Sequence, residues 1–278
     1  NPAGAAYDDF DAFLARKPAG APFCFWFGTN DPHRPYVKGA GIAAGLSPDA
    51  VTVPPYLPDT PTVRSDIVDY RFEVERLDRE AGELLARLDR EGLLANTLVV
   101  MTGDNGWPFP RGKATLYDAG WHVPLAVAWP AGGLQAGVQS EAMVSLADLA
   151  PTFLDLAGLE VPGSMQGRSL VPLLGGAEPA DWRTSVYYRY YHDPGDHDTR
   201  AHYGVRTATH KLIHYWTKDA WELYDLARDR CETADRAAAE PDRVRALEQE
   251  WNRIAEECRG LARDKPPAAK PEIGRAHV

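Results

Sequence analysis

The sequence predicts an α/β protein followed by a small antiparallel β subdomain, and three observations carry that reading. "TLVVMTG" (97–103) and "HVPLAVAWP" (122–130) are near-continuous apolar runs, the pattern of strands covered on both faces. Long stretches at helical spacing lie before and after them. From about residue 180 the chain changes to short aromatic, β-branched stretches separated by turn residues. Strand, helix, strand, strand, helix is the order of a layered α/β domain.

The first strand is expected in "PFCFWFGTNDPH" (22–33), an apolar run that opens into a loop at Gly28 and Asn30. Residues 36–62 are rich in Pro and Gly without a period, a long irregular segment of the kind that often carries function. From Val63, Ile67, Tyr70, Val74, Leu77, Ala81, Leu84, Leu85 and Leu88 line one face of a long amphipathic helix that stops near Gly92. The 97–103 and 122–130 strands follow, then a helix from Ser145 to Gly158. "SVYYRYYH", "HYGVRTA", "HKLIHYW" and "WELYDL" are the expected antiparallel strands, and "DRVRALEQEWNRIAEECRGLA" is a final amphipathic helix with a solvated charged face.

The chain has 278 residues with 44% hydrophobic content, enough for a sizeable core. Its net charge of -10 argues against nucleic acid as a partner, although local cations can still hold an anion in a pocket. No run reaches the ~18 apolar residues of a membrane span. Cys24, Cys231 and Cys258 form no C-x-x-C pair, so a zinc site of that type is not expected. Cys24 reads as a small core residue, while Cys231 and Cys258 remain open as a pair.

Ligand groups in α/β sheets cluster beyond the carboxyl ends of strands. Asp104 and Asn105 stand there, and offer two hard oxygens with one negative charge, suited to Ca²⁺ or Mg²⁺. The same D-N-G is also plain turn chemistry. Lys113 follows a few residues on, and His33 stands after the earlier apolar run. Metal ligands, a point cation and a proton donor together suit a tetrahedral oxyanion.

At this point a family resemblance becomes specific. "TGDNGWPFPRGKATLYDAGWHVPL" resembles a segment of the formylglycine-dependent sulfatases, and "FGTNDPHRPY" resembles their strand-then-histidine segment, most of all in the heparan N-sulfatase branch. "VSLADLAPTFLDLAGL", "MQGRSLVPLL" and "GVRTATHKLIHYW…WELYDLARDRCETADRAAAEPD" are similar to later parts of the family, so the resemblance spans roughly residues 20–250. It implies an alkaline-phosphatase-like sandwich with a central, mostly parallel sheet that is incomplete here. It also implies hydrolysis of sulfate esters or sulfamates on sulfated carbohydrates or aryl sulfates. By matching positions Asp104 and Asn105 would be metal ligands, usually to Ca²⁺, with Mg²⁺ as the other hard cation. Lys113 would bind sulfate oxygens, and His33 would contact the sulfate or the leaving-group atom as general acid. Asp31 and Arg34 beside His33, and His192 and His202 in the histidine-rich "YYHDPGDHDTRAHYGVRT", would contact substrate. That last segment resembles sugar 6-O-sulfatases more than sulfamidases, so N- and O-sulfate both stay open.

The departures matter as much. The family's C/S-x-P-x-R motif, which carries the formylglycine nucleophile, occurs nowhere in this sequence, and neither does the first pair of metal-binding aspartates. The nucleophile is therefore expected outside this chain, which alone should be inactive, and a formylglycine-generating enzyme is an expected partner of the full-length protein. An arginine often found before Val-Pro is His122 here. Residues 1–178 would be the C-terminal part of the catalytic domain, 179–264 the small α+β subdomain, and 265–278 a tail. The last six residues, "IGRAHV", back-translate to the start of a common sequencing adapter and are expected to be read-through. Export, periplasmic or secreted, is implied by the family. Two other readings compete: a phosphodiesterase or phosphomutase of the same superfamily, and a non-catalytic glycan-binding relative.

Overall fold

The computed structural model describes residues 6–134 and 136–257. The chain divides into two compact units, one ending at Thr97 and one beginning at Leu98.

In the first unit, α1 (Phe10–Arg16) starts at Asp9, whose carboxylate accepts from the Ala12 N–H at 2.7 Å. A short α2 (Ala40–Ala43) precedes α3 (Pro61–Arg90), the long helix the sequence predicts. Thr60 caps α3 and Pro61 takes its first position, while Gly92 at φ 67° ends it. The α3 face is more polar than its apolar spacing suggests: Asp69 and Glu73 are buried beside Ile67 and Val68, and Val74 is exposed. Asp69 explains itself by accepting from the N–H groups of Gly39 (2.8 Å) and Gly41 (2.9 Å), which seats α2 on α3.

The 22–28 run belongs to no strand. Its side chains alternate: Phe23 and Phe25 pack with Phe10, Phe13 and Leu88, while Trp26 is 87% exposed. Cys24 falls on the outward side and is exposed, which corrects its reading as a core residue. An aromatic run satisfies its inward half against helices and needs no ladder to do so.

In the second unit, β1 (Val99–Thr102) pairs with β2 (Leu125–Ala128), Val99 opposite Ala128 and Thr102 opposite Leu125. The pairing of these two strands is antiparallel. The connection between them runs through residues 103–124 and includes the short α4 (Asp118–Trp121). One face of the ribbon is partly covered, with Leu125 against Leu170, Leu173 and Trp182, and Met101 is 43% exposed.

Ser145 opens the next helical stretch with a capping box to Asp148, and α5 (Leu149–Leu156) runs to Gly158. The buried Asp148 carboxylate takes both arms of Arg183 (2.5 and 2.7 Å). After α6 (Val171–Leu174) come β3 (Ser185–Tyr190), β4 (His202–Thr207), β5 (His210–Tyr215) and β6 (Ala220–Asp225), an antiparallel meander as predicted. One face holds Tyr203, Val205, Leu212 and Leu223 against Leu247 and Trp251 of α7 (Pro241–Glu257). The other holds Ile213 and Tyr224 against Leu116 and Tyr117. The 111–121 segment and the sheet thus share a core. Cys258, and with it any pair to Cys231, lies outside the described residues. Among the described residues no helix is long and apolar enough to cross a membrane.

Candidate active site

Each unit presents one loop that the sequence singled out. In the first, His33 is exposed; its backbone N–H donates to the Asn30 carbonyl at 2.6 Å and its Nδ1 lies 2.6 Å from the Arg34 carbonyl. The loop is tied to α3 by charge. Arg34 makes a forked pair with Asp66 (3.0 and 2.6 Å) and lies 4.6 Å over the Tyr36 ring. Asp31 sits 3.2 Å from Arg76, which also holds Glu73 at 2.8 Å. Burial, and then the neighbouring Asp31 carboxyl, push Glu73 above the usual carboxylate range. Asp31 and Arg34 thus anchor the loop that presents His33.

In the second unit, Asp104 is exposed at the end of β1 and Asn105 is half-buried. The Asn105 amide donates to the Gly106 carbonyl at 2.8 Å, so its side-chain oxygen is the atom left to act as a ligand. The Gly106 N–H donates to the Gly120 carbonyl at 2.7 Å, and a methyl group on Gly106 would overlap the Ala119 carbonyl. The Lys113 N–H donates to Trp107 O at 2.9 Å, between two residues in left-handed backbone, Arg111 (φ 65°) and Ala114 (φ 69°). A side chain on Gly120 would strike the Gly112 and Thr115 carbonyls. The D-N-G tip and the lysine loop are therefore stacked through their backbones on one short helix, α4.

Beneath α4 lies a buried ion network that sequence reasoning missed. Lys211 of β5, with no exposed side-chain surface, is 2.5 Å from Asp118 and 2.6 Å from Glu232. Asp118 also takes a forked pair from Arg206 (both 3.0 Å), and Glu232 accepts from the Asp118 N–H at 2.7 Å. Two carboxylates face two cations. Burial raises the Asp118 pKa, but hydrogen bonds from His122 and Arg206 and the charge on Lys211 outweigh it and hold the group well below the usual range. Burial pushes Lys211 down and Glu232 up, each opposed by the other's charge. The one trace in the sequence is register: Lys211 stands at an inward position of β5, two before Ile213. His122, where the family often has arginine, is exposed with Nδ1 3.7 Å from Asp118.

The histidine-rich segment separates its members. His192 is exposed, its ring 5.8 Å from Tyr190. His202 is wholly buried between the rings of Tyr190 (5.5 Å) and Tyr215 (5.2 Å), with Nδ1 2.7 Å from Arg200 O. His197 sits in left-handed backbone at φ 60°.

Comparison with known proteins places this geometry. The family model "Sulfatase" matches residues 4–159, and "N-sulphoglucosamine sulphohydrolase, C-terminal" matches residues 103–257. An N-acetylglucosamine-6-O-sulfatase of Bacteroides thetaiotaomicron is 42% identical over 168 residues, 58% of this chain and 30% of that protein. The human N-sulphoglucosamine sulphohydrolase is 34% identical over 292 residues, 86% of this chain and 56% of that protein. Among solved structures, one in complex with its substrate D-glucosamine-2-N,6-O-disulfate aligns at 33% identity with a TM-score of 0.66, covering 73% of this chain and 44% of that one. A phosphonate monoester hydrolase from Silicibacter pomeroyi aligns at 27% identity and TM-score 0.62, covering 78% and 46%.

The fold is that of the alkaline-phosphatase-like α/β proteins, with a C-terminal antiparallel sheet. Within that class, the chain belongs to the sulfatase family. It spans about a third to about half of the length of the two curated relatives described above.

Proposed function

We propose that the whole protein hydrolyses sulfate ester or sulfamate groups on a glucosamine-type sulfated sugar. The observation that carries this is the stacking on α4 of two hard-oxygen side chains, Asp104 and Asn105, beside the backbone-pinned Lys113. The relatives named for N-sulphoglucosamine and for 6-O-sulfated N-acetylglucosamine give the substrate class.

The donor chemistry fits Ca²⁺ or Mg²⁺, but not the donor number. Asp104 and Asn105 supply two oxygens where Ca²⁺ takes about six to eight, and among the described residues no cluster of three or more His, Cys, Asp or Glu side chains forms a metal site. These two residues would hold one side of the ion, which when bound offsets charge on the sulfate oxygens. Lys113 supplies a fixed positive charge to oxygens that become more negative as the bond to sulfur breaks. His33, exposed and held by its own backbone bond, is the proton donor to the leaving atom. Asp31 and Arg34 orient that loop and face the sugar at its edge. His192 contacts substrate, and His202 acts behind it by fixing the Tyr190 ring. The nucleophile is a formylglycine outside this sequence, made by a formylglycine-generating enzyme, and the protein is exported as its family is.

The test is the full-length enzyme, co-expressed with a formylglycine-generating enzyme. It is assayed on an aryl sulfate, an aryl phosphate, and N-sulfated and 6-O-sulfated glucosamine. Sulfate release that is lost in Lys113→Ala and Asp104→Ala supports the reading. The likeness to a phosphonate monoester hydrolase supports a second reading, ester hydrolysis at phosphorus, and phosphate release without sulfate release would select it. Binding of the sulfated sugars with no turnover of any substrate would make the protein a glycan-binding relative.

A further inference from the structure

Glu232 touches both ends of the loop that carries Lys113. Its backbone carbonyl accepts a hydrogen bond from the guanidinium of Arg111. Its carboxylate accepts from the backbone N–H of Asp118 at 2.7 Å. The eight residues from Arg111 to Asp118 are thus held at their first and last positions by one side chain and its own carbonyl. The loop is also closed on itself, since Arg111 lies 3.7 Å over the ring of Tyr117. Glu232 is 2% exposed and sits in left-handed backbone at φ 55°, a conformation unusual for a glutamate. Its second carboxylate oxygen faces Lys211 at 2.6 Å, and Lys211 holds Asp118 as well.

We propose that Glu232, charge-compensated by Lys211, is a positioning residue for Lys113: it clamps the sulfate-binding loop at Arg111 and Asp118 from the C-terminal part of the fold. The proposal rests on the reading of Lys113 as the cation that binds sulfate oxygens. It touches no substrate itself. Its effect is geometric, because a point cation displaced by about 1 Å from a reacting oxyanion can forfeit up to about a hundredfold in rate.

The experiment uses the full-length, formylglycine-loaded enzyme with an aryl sulfate, and inorganic sulfate as competitive inhibitor. Glu232→Gln loosens the clamp at its Asp118 end, because a neutral amide accepts from the Asp118 N–H more weakly than a carboxylate and is no longer fixed by the charge of Lys211. It is expected to lower kcat/KM at least about tenfold and to weaken inhibition by inorganic sulfate. Arg183→Met, which breaks the other buried ion pair of the same unit, is the structural control and is expected to lower Tm while leaving kcat/KM and sulfate inhibition at wild-type levels. If Glu232→Gln does not fold, the double variant Lys211→Met/Glu232→Leu, which removes the acceptor at the Asp118 N–H together with the facing charge, and the single variant Arg111→Met, which removes the bond to the Glu232 carbonyl, release the two ends of the loop. A folded Glu232 variant with wild-type kcat/KM and wild-type sulfate inhibition overturns the proposal. So does a loss in Arg183→Met that matches the loss in Glu232→Gln at equal Tm change. Lys113→Ala separates the two readings. If it is inactive while the Glu232 variants are unaffected, only the clamp falls. If it keeps wild-type activity, the sulfate-binding role of Lys113 falls and the clamp with it.

Discussion

The His33 loop and the Lys113 loop both follow apolar segments and both are tied down by ion pairs, but water reaches one set and not the other. Arg34 and Asp66 are each more than a third exposed. Lys211 is not exposed at all and Glu232 almost not. Exposed pairs are screened and contribute about 0–1 kcal/mol. A buried pair is neutral or costly overall against an apolar substitute, yet breaking half of it strands a charge at a cost of about 3–5 kcal/mol. The first loop is therefore steered by its anchors, whereas the second is locked by them.

The largest effect is expected where that contrast is sharpest. Lys211→Met leaves Asp118 and Glu232 facing each other with only Arg206 as counter-charge, and should destabilise the second unit by about 3–5 kcal/mol in denaturant titrations. Lys211→Met/Glu232→Gln should recover part of that loss. Equal loss in the single and double variants would show that packing, not charge, sets the cost.

Next comes the backbone. Gly120→Ala places a methyl group against the backbone carbonyls of Gly112 and Thr115 in the lysine loop, so neither neighbour is a flexible side-chain end. An overpacking cost of about 1–3 kcal/mol is expected, and in the full-length protein a fall in the proposed sulfate release larger than the stability change alone explains. A wild-type rate in this variant would break the link between α4 and the lysine loop.

These contrasts also explain what could be read in advance. All four C-terminal strands are legible because their aromatic and β-branched residues alternate between two covered faces, as Tyr203 and Val205 do toward α7. The D-N-G tip and Lys113 stand out as a contiguous motif, and the structure joins them through the backbone of α4. The buried network is not, because Asp118, Arg206, Lys211 and Glu232 are distant in sequence and each alone reads as a solvated charge. The 22–28 run misleads for a related reason. Phe23 and Phe25 satisfy the apolar pattern against helices, and composition does not say what a run packs on.

At the first loop, Arg34→Ala should cost no more than about 1 kcal/mol, and the cost should shrink further in high salt. Because the forked pair fixes the residue next to His33, the variant should lose more in kcat than its stability suggests. A stability loss as large as that of Lys211→Met would erase the distinction between the two loops.

The smallest effect concerns His202 and is read in pH, not in activity. Burial between two tyrosine rings pushes its pKa below the ordinary 6.5. In the unfolded chain the imidazole binds a proton near 6.5, while the folded protein resists until the pH is lower. In that window the unfolded state holds more protons, so stability rises with pH. The contribution is fully present above the unfolded value and is lost as the pH falls through it toward the folded value. Denaturant midpoints of the wild type should therefore drop as pH is lowered from about 7 to about 5. His202→Phe keeps the ring stack and removes the titration, so its midpoints should be flatter over the same range. Its Nε2 is buried without a hydrogen-bond partner among the described residues, so the substitution forfeits no bond at that atom and only the one near Arg200 O on the other. An unchanged slope in His202→Phe would assign the acid sensitivity to another group and leave His202 as packing alone.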